Sequence, residues 1–499
     1  MDQSSNESLR RGTNAPLSHA EISKIIIGVM IAMFLAALDQ TIIATALPTI
    51  GHELGDFEHL PWVVTSYLLA STAVTPLYGK FSDIHGRRIT MLIGIVVFII
   101  GSIACALAPN MIILILARGL QGVGGGGLVA MAQTVVGDLV PPKERGKYQV
   151  YFASVFMTSS LLGPVLGGFF AEHLHWSVIF WINLPLGLIA LVIAYQGLKK
   201  LPRHDRPHKL DILGAVIMVS ATVSLLLALS WGGLRYPWFS APIAGMIALS
   251  LGLWIAFAFR MRLASEPLIP PGVLRNPVVR MGTLSACFAM GTYIGLTIYL
   301  PVYFEAVRGI SASQSGLGLI PLMAGTVAGA TLSGRSMAKV QHYKRLPTVG
   351  LIVAIAGTII LAALPDLPIV TIEIILGILS IGLGTILPVT TVSIQNAVAL
   401  HELGTATGTV NFFRSLGGAF LVAIFGAILL GMSGLQGAGS FESLGEVAAR
   451  SGVDLADVFR YIFIAAAIGF TLALGFLIAM EERPLRGSAV KAAEAAIAD

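Results

Sequence analysis

Long apolar runs alternate with short polar segments along most of this chain. A helix that crosses a bilayer needs roughly 20 predominantly apolar residues. Runs that meet or approach that length fall at approximately 25–50, 62–79, 90–108, 111–137, 148–171, 178–197, 211–230, 239–259, 279–304, 314–335, 347–364, 369–393, 404–430 and 458–480. The pattern predicts an all-α polytopic membrane protein with about fourteen transmembrane helices. Composition supports it, since 56% of the 499 residues are hydrophobic and 11% are charged, against about 25% charged in soluble domains. The mean hydropathy is +0.84. A soluble core cannot hide that much apolar surface, whereas lipid can. The 55 glycines suit helices that approach closely in a membrane.

An even number of spans puts both termini on one side. Short loops rich in Lys and Arg stay cytoplasmic. With the N-terminus inside, cytoplasmic segments hold about 25 of the 31 Lys and Arg residues, among them Arg87, Arg88, Lys143, Arg145, Lys147, Lys199, Lys200, Arg260, Lys344 and Arg345. Outer loops hold Arg235, Arg308, Arg450 and Arg460, and Arg118 and Arg414 lie within spans. The expected location is the cytoplasmic (inner) membrane with both termini inside. The net charge of +5 sits in loops on one side, so a nucleic-acid partner is not expected. Residues 1–23 are polar and carry no cleavable leader pattern. Cys105 and Cys287 both lie in apolar spans, which argues against a disulfide framework.

The spacing suggests five units: a tail at 1–23, six helices within 24–197, a linker with two further helices at 198–278, six helices within 279–480, and a tail at 481–499. A basic loop, Lys199 to Lys209, precedes the two extra helices. The outer segment near 431–457 contains Phe441 to Arg450 and suggests a short amphipathic surface helix. Gly79-Lys-Phe-Ser-Asp83-Ile-His-Gly86-Arg87-Arg88 reads as a charged cytoplasmic turn of ten residues between the second and third spans. A weaker echo follows the tenth span, where Ser333-Gly334-Arg335 leads into Lys339 but Ala338 replaces the acid. Such repeated halves place a substrate site at their interface near the midplane.

Ionisable residues inside spans are costly and mark function by default. Asp39 lies about eight residues from the outer end of the first helix, or roughly 12 Å deep, and Arg118 about seven residues from the outer end of the fourth, or roughly 10 Å deep. Their matched depth allows them to pair directly, through water, or through Gln121. A carboxylate caught between burial and a guanidinium can load and release a proton, although a permanent ion pair that only holds helices together fits the same spacing. Arg414, about ten residues into the thirteenth helix, either contacts the inner gate or snorkels back to the interface. Glu305 and Glu373 lie near outer ends of spans and read as wet rim residues. In the fifth helix Gly163 and Gly167 are four apart and present bare backbone to one neighbour, with Pro164 between them and Gly168 following; a bend flanked by glycines makes a plausible pivot. Gly122 to Gly127 does not end in Gly-Lys-Ser/Thr and lies within a span, so it is not a phosphate loop. The sequence offers no metal-ligand spacing and no nucleophile–base arrangement, so no enzyme, metal or bound cofactor is expected.

These motifs together resemble the major facilitator superfamily, in its fourteen-helix drug:proton antiporter branch. Gly79 to Arg88 matches that family's hairpin signature, Leu114 to Gly122 its fourth-helix motif, and Gly163-Pro164 to Gly168 its fifth-helix antiporter motif. Leu38-Asp39 to Pro48 is similar to the branch's first-helix motif, with Ala44 in place of a common asparagine, and Ser159 stands where the fifth-helix motif often begins with glycine. The resemblance implies a major facilitator fold, two six-helix bundles plus two inserted helices. It implies that Asp39 and Arg118 couple to protons. It also implies that Gly79, Asp83, Gly86, Arg87, Arg88, Gly163, Pro164, Gly167 and Gly168 serve the conformational switch, with Asp83 at a neighbouring helix terminus and Arg87 on an acid from another helix.

The expected activity is proton-coupled export of small hydrophobic or amphipathic compounds by alternating access, as in multidrug efflux, powered by the proton gradient. Expected cavity residues are Gln121, Met157, Phe288, Tyr293, Asn411 and Arg414. The expected partners are a small-molecule substrate and the lipid bilayer, around a monomer, with any periplasmic adaptor left open. A dedicated exporter or importer of one metabolite, lipid or siderophore stays open, as does a transport-dead receptor or scaffold on the same fold.

Overall fold

The computed structural model describes residues 19–200, 210–364, 367–432 and 454–487. Both tails in large part, most of the basic loop to Lys209, and the segment Phe441 to Arg450 lie outside the described residues. The described residues form helices and no strands. In lipid each backbone polar group must be satisfied within its own segment, and a helix does so.

Fourteen long helices follow in order among the described residues. They are α1 (His19–Leu54), α2 (Pro61–His85), α3 (Arg87–Ala106), α4 (Met111–Leu139), α5 (Pro142–His173), α6 (Val178–Gly197), α7 (Ile212–Trp231), α8 (Ala241–Leu263), α9 (Pro277–Ala306), α10 (Gln314–Met337), α11 (Arg345–Ala363), α12 (Ile369–Ala397), α13 (Leu403–Met432) and α14 (Leu455–Ala479). Thirteen are long and apolar enough to cross a membrane. The exception is α2, a 25-residue helix whose Thr65, Ser66, Ser71, Thr72 and Thr75 dilute its apolar character. Its Tyr67 and Tyr78 are buried against the glycines of α4, so α2 is an interior helix with few lipid-facing positions.

The ten-residue turn expected at Gly79 to Arg88 is far shorter. Helix α2 runs on through His85 and α3 begins at Arg87, leaving Gly86 alone between them. Gly86 has φ +89, which glycine adopts without the steric cost of a Cβ. This end of the bundle is called the hairpin end below, and the opposite end the far end.

Apolar side chains divide between two environments. Leu296, Tyr303, Phe304, Leu376, Phe425, Phe459 and Phe470 form a buried core within α9–α14. Met33, Met91, Ile95, Leu128 and Phe152, with Ile43, Leu114 and Phe180, fill the interior of α1–α6. A separate cluster of Met218, Phe257 and Leu268 joins α7 to α8, with Leu77 of α2 against it. Ile212 and Val216, Leu188 and Val192, and Ile374 and Ile378 remain exposed at helical spacing, the faces a bilayer covers.

Helix α4 breaks at Gly126–Gly127 and resumes at Leu128. A Cβ at Gly124 would collide with the backbone of Phe98 in α3, and one at Gly126 with the backbone of Ser71 in α2. Glycine lets three helices cross here at backbone distance. We expect Gly124→Val to force α3 from α4, at the roughly 1–3 kcal/mol typical of overpacking, and to lower the thermal unfolding midpoint in detergent. Gly245→Val, where a Cβ meets nothing within 4 Å, should leave it unchanged.

Candidate functional site

Asp39 of α1 and Arg118 of α4 form an ion pair, with Nη1 donating to Oδ2 at 2.5 Å, and each residue is 1% exposed. The pairing is direct. Asp39 Oδ1 accepts from Gln121 Nε2 at 2.8 Å and Asn183 Nδ2 at 3.0 Å. Gln121 Oε1 accepts from Arg118 Nη1 at 2.8 Å. Arg118 Nε donates to the Val63 carbonyl at 3.1 Å, and the guanidinium lies 4.4 Å from the centre of the Tyr67 ring. Ser102 Oγ accepts from both Gln121 and Asn183 and donates to the Phe180 carbonyl. Helices α1, α2, α3, α4 and α6 thus meet at one closed polar cluster. Buried charges persist when paired and hydrogen-bonded, and each Asp39 oxygen has a partner.

One turn beyond Asp39 the same helix meets α5. Thr41 Oγ1 donates to the Ser159 carbonyl at 2.8 Å, and Thr45 Oγ1 to the Pro164 carbonyl at 3.2 Å. A Cβ at Gly163 or Gly167 would collide with Thr41, Ile42 or Thr45. Both glycines therefore face one neighbour. Gly168 has open space where its Cβ would stand, and Pro164 is exposed, so these two lie off that contact.

A second cluster closes the hairpin end. Asp83 Oδ1 accepts from the Gly404 backbone N–H at 3.0 Å, and Oδ2 from the Thr405 N–H and Oγ1, each at 2.7 Å. These amides open α13, so Asp83 of α2 caps another helix and meets its positive dipole end. Arg87 bonds Asp83, Ser82 at 2.8 Å and Asp138 of α4 at 2.8 Å. The same region brings Gly79 against the backbone of Gly404, and Gly146 of α5 against Gly334 of α10. Arg88 takes no part here and lies 4.3 Å from the Tyr195 ring centre.

Neutral amides bridge the two sets beside this latch. Asn411 Nδ2 donates to Gln133 Oε1 at 2.8 Å, and Gln395 Nε2 to the Gln133 carbonyl at 3.2 Å. Arg145 reaches Gln395 at 3.5 Å and the Val140 carbonyl at 2.7 Å. Arg414 donates to Asn411 Oδ1 at 2.5 Å. Every bridge described here joins the hairpin-end halves of its helices.

The remaining expected cavity residues are dispersed. Gln121 is fully buried in the Asp39 cluster. Phe288 stacks on Phe476 of α14 with ring centres 5.8 Å apart. Met157 and Tyr293 are half-buried on α5 and α9. Among the described residues no group of three His, Cys, Asp or Glu side chains could hold a metal ion. Sequence reasoning missed Asn183 and Ser102. The first is a polar residue early in an apolar span, a signal comparable to Gln121; the second has no distinguishing neighbour.

An all-helical bundle with intramembrane charges, closed at one end by a helix-capping acid, defines a polytopic carrier. The Major Facilitator Superfamily model matches residues 29–422, and the chain belongs to that family. Multidrug transporter protein MdtP of Bacillus subtilis (strain 168) is 36% identical over 411 residues, which cover 82% of this chain and 76% of that one. Multidrug resistance protein 3 of the same organism is 34% identical over 435 residues, 85% of each chain. Efflux pump FUS6 of Gibberella fujikuroi is 32% identical over 423 residues, 81% of this chain and 74% of that one. Among solved structures, the proton:xylose symporter XylE bound to 6-bromo-6-deoxy-D-glucose aligns with a TM-score of 0.63 at 14% identity, covering 94% of this chain and 98% of its own. The human organic anion transporter MFSD10 aligns at 0.62 and 16% identity, covering 91% and 99%. Both share the fold. The chain is thus a multi-pass membrane transporter of that family.

We expect Asp83→Asn to weaken closure of the hairpin end. Spin labels at Lys147→Cys and Lys339→Cys, with the two native cysteines replaced, should report a distribution shifted to longer distances in the variant. An unchanged distribution removes the capping carboxylate from the closure.

Proposed function

We propose that the chain is a proton-driven antiporter that exports small amphipathic or hydrophobic compounds by alternating access. It sits in the cytoplasmic membrane with the hairpin end and both termini inside. The excess of Lys and Arg in the loops of that side supports the orientation, and the multidrug and efflux names of the relatives support the direction. The observation that carries the reading is the closed Asp39–Arg118 cluster beside the glycine face of α5.

In this reading the arrangement with the hairpin end shut faces outward. A proton arriving from the far side neutralises Asp39 and leaves Arg118 without its counter-charge. Removing one partner of a buried pair costs about 3–5 kcal/mol. Reversing a two-state population from 1:99 to 99:1 takes about 5.5 kcal/mol. The loss of one pair is therefore of the right order to move the equilibrium between two arrangements of the bundle. The contacts of Thr41 and Thr45 with α5 carry a shift of α1 into α5, whose other end meets α10 at Gly146–Gly334. Opening of the hairpin end then separates Asp83 from α13 and admits substrate from the cytoplasm or inner leaflet.

Reconstitution into proteoliposomes with an enclosed pH-sensitive dye and a panel of amphipathic compounds tests the scheme. Asp39→Asn should abolish coupled transport while the variant still elutes as a folded species. Wild-type rates in that variant overturn the proton mechanism. Asp83→Asn should reduce the turnover rate more than the apparent affinity for substrate, and an unchanged turnover rate removes the latch from the cycle.

A further inference from the structure

Of the arginines Arg87, Arg118, Arg145 and Arg414, two are paired with carboxylates and two are held by neutral acceptors. Arg118 has Asp39. Arg87 has Asp83 and Asp138. Arg145 donates to the Gly137 and Val140 carbonyls and to Gln395. Arg414 has Asn411 Oδ1 alone, and among the described residues no carboxylate pairs with it. A guanidinium carries five N–H donors in a rigid fork, so most of its bonding capacity is uncommitted.

Its position gives that capacity a direction. Thr407 and Asn411 of α13 lie on one face and bond Gln395 and Gln133, the second in the other set of helices. Arg414 lies one turn further toward the far end on that face, where residues three and four apart are neighbours. Ser415 beside it is exposed in the middle of α13. The bridges described on this face end at Asn411. Arg414 lies eleven residues beyond Leu403, the first of α13, roughly 16 Å along the helix, which is more than the side chain can span to the hairpin-end interface.

We propose that Arg414 is the recognition point for an anionic group, a carboxylate or sulfonate on an amphipathic molecule, on the face of α13 that Asn411 bonds to Gln133 of the first six helices. This rests on the transport reading above and names the substrate class it accepts. An intramembrane cation without a counter-ion is costly, and a planar oxyanion supplies both charge and two parallel acceptors for the guanidinium fork. Asn411 ties this cation to Gln133, so an anion that draws the guanidinium away loosens one of the bridges at the hairpin end.

The test uses the full-length protein in lipid nanodiscs and two probes with the same ring system, radiolabelled 2-naphthoate and 2-naphthylmethylammonium, at equilibrium and without a proton gradient. The wild type should bind the carboxylate at least tenfold more tightly than the ammonium. Arg414→Gln should lose that preference, with at least a tenfold loss for 2-naphthoate and little change for the ammonium. Arg414→Lys, which keeps the charge without the fork, should retain part of it. No anion preference in the wild type overturns the proposal, as does an equal loss of both probes in Arg414→Gln. The same protein assayed for pH-driven transport separates the two readings: a preference for the anion without any coupled movement leaves the recognition site standing and removes the antiporter.

Discussion

Two charges removed from water organise the first six helices. Asp39 and Arg118 are each 1% exposed, and neither tolerates that position alone, because an uncompensated charge in a low-dielectric interior is among the costliest defects a fold can carry. Their joint presence forces α1 and α4 into contact at one depth. The remaining lone pairs and protons then dictate which other polar groups stand nearby: Gln121, Asn183, Ser102 and the Val63 carbonyl. In a membrane the apolar faces supply little preference of one helix for another, since lipid is as apolar as the core. Polar satisfaction and bare-backbone crossings at glycine take over that role. The pair is therefore a structural constraint first, and its proposed use as a switch rests on how much depends on it.

The two ends of α4 connect this constraint to the latch. Its first segment carries Arg118 and Gln121, and its second carries Gln133 and Asp138. Asp138 holds Arg87, which holds Asp83, and Asp83 caps α13. Between the two segments stand Gly126 and Gly127, where the helix is interrupted. Spatial continuity of this kind is not coupling by itself. What it supplies is a single element whose two parts bond to different partners, with the residue type at the break that changes conformation at least cost.

Much of this was legible in the sequence because the membrane narrows the choices. Helices are the economical way to span lipid, so run lengths alone located most of α1–α14, and rarity made Asp39 and Arg118 conspicuous. Equal depth on antiparallel helices is a geometric deduction, and the 2.5 Å pair agrees with it. The turn at Gly79 to Arg88 was misjudged in length because charged residues read as loop, whereas Asp83 and Arg87 lie on helices whose polar ends point at each other and at α13. Partners from distant segments were out of reach. Nothing local marks Thr405 as the residue whose amide receives Asp83, or Gln133 as the one facing Asn411. Gln121 carries two expectations, a partner of the ion pair and a cavity residue, and its bonds to both Arg118 and Asp39 place it with the pair.

The two six-helix sets are not equivalent at the closed end, and the inequality has a physical consequence. Two of the crossings between them rely on paired glycines, Gly79 with Gly404 and Gly146 with Gly334. Only the first carries a charge network; Ala338 stands where the second would need its acid. Close glycine crossings contribute dispersion over a small area and hold no particular state once the backbones part. Charge-assisted bonds to a helix terminus are stronger than neutral ones and demand a fixed geometry. The closed end therefore has a firm side at α2–α13 and a compliant side at α5–α10. The helix on the compliant side is the one whose other end rests on α1 beside Asp39. In the proposed cycle a change of charge at Asp39 reaches the closed end first where least resists it, and the acid-capped crossing on the opposite side sets how far the end must be loosened before it opens.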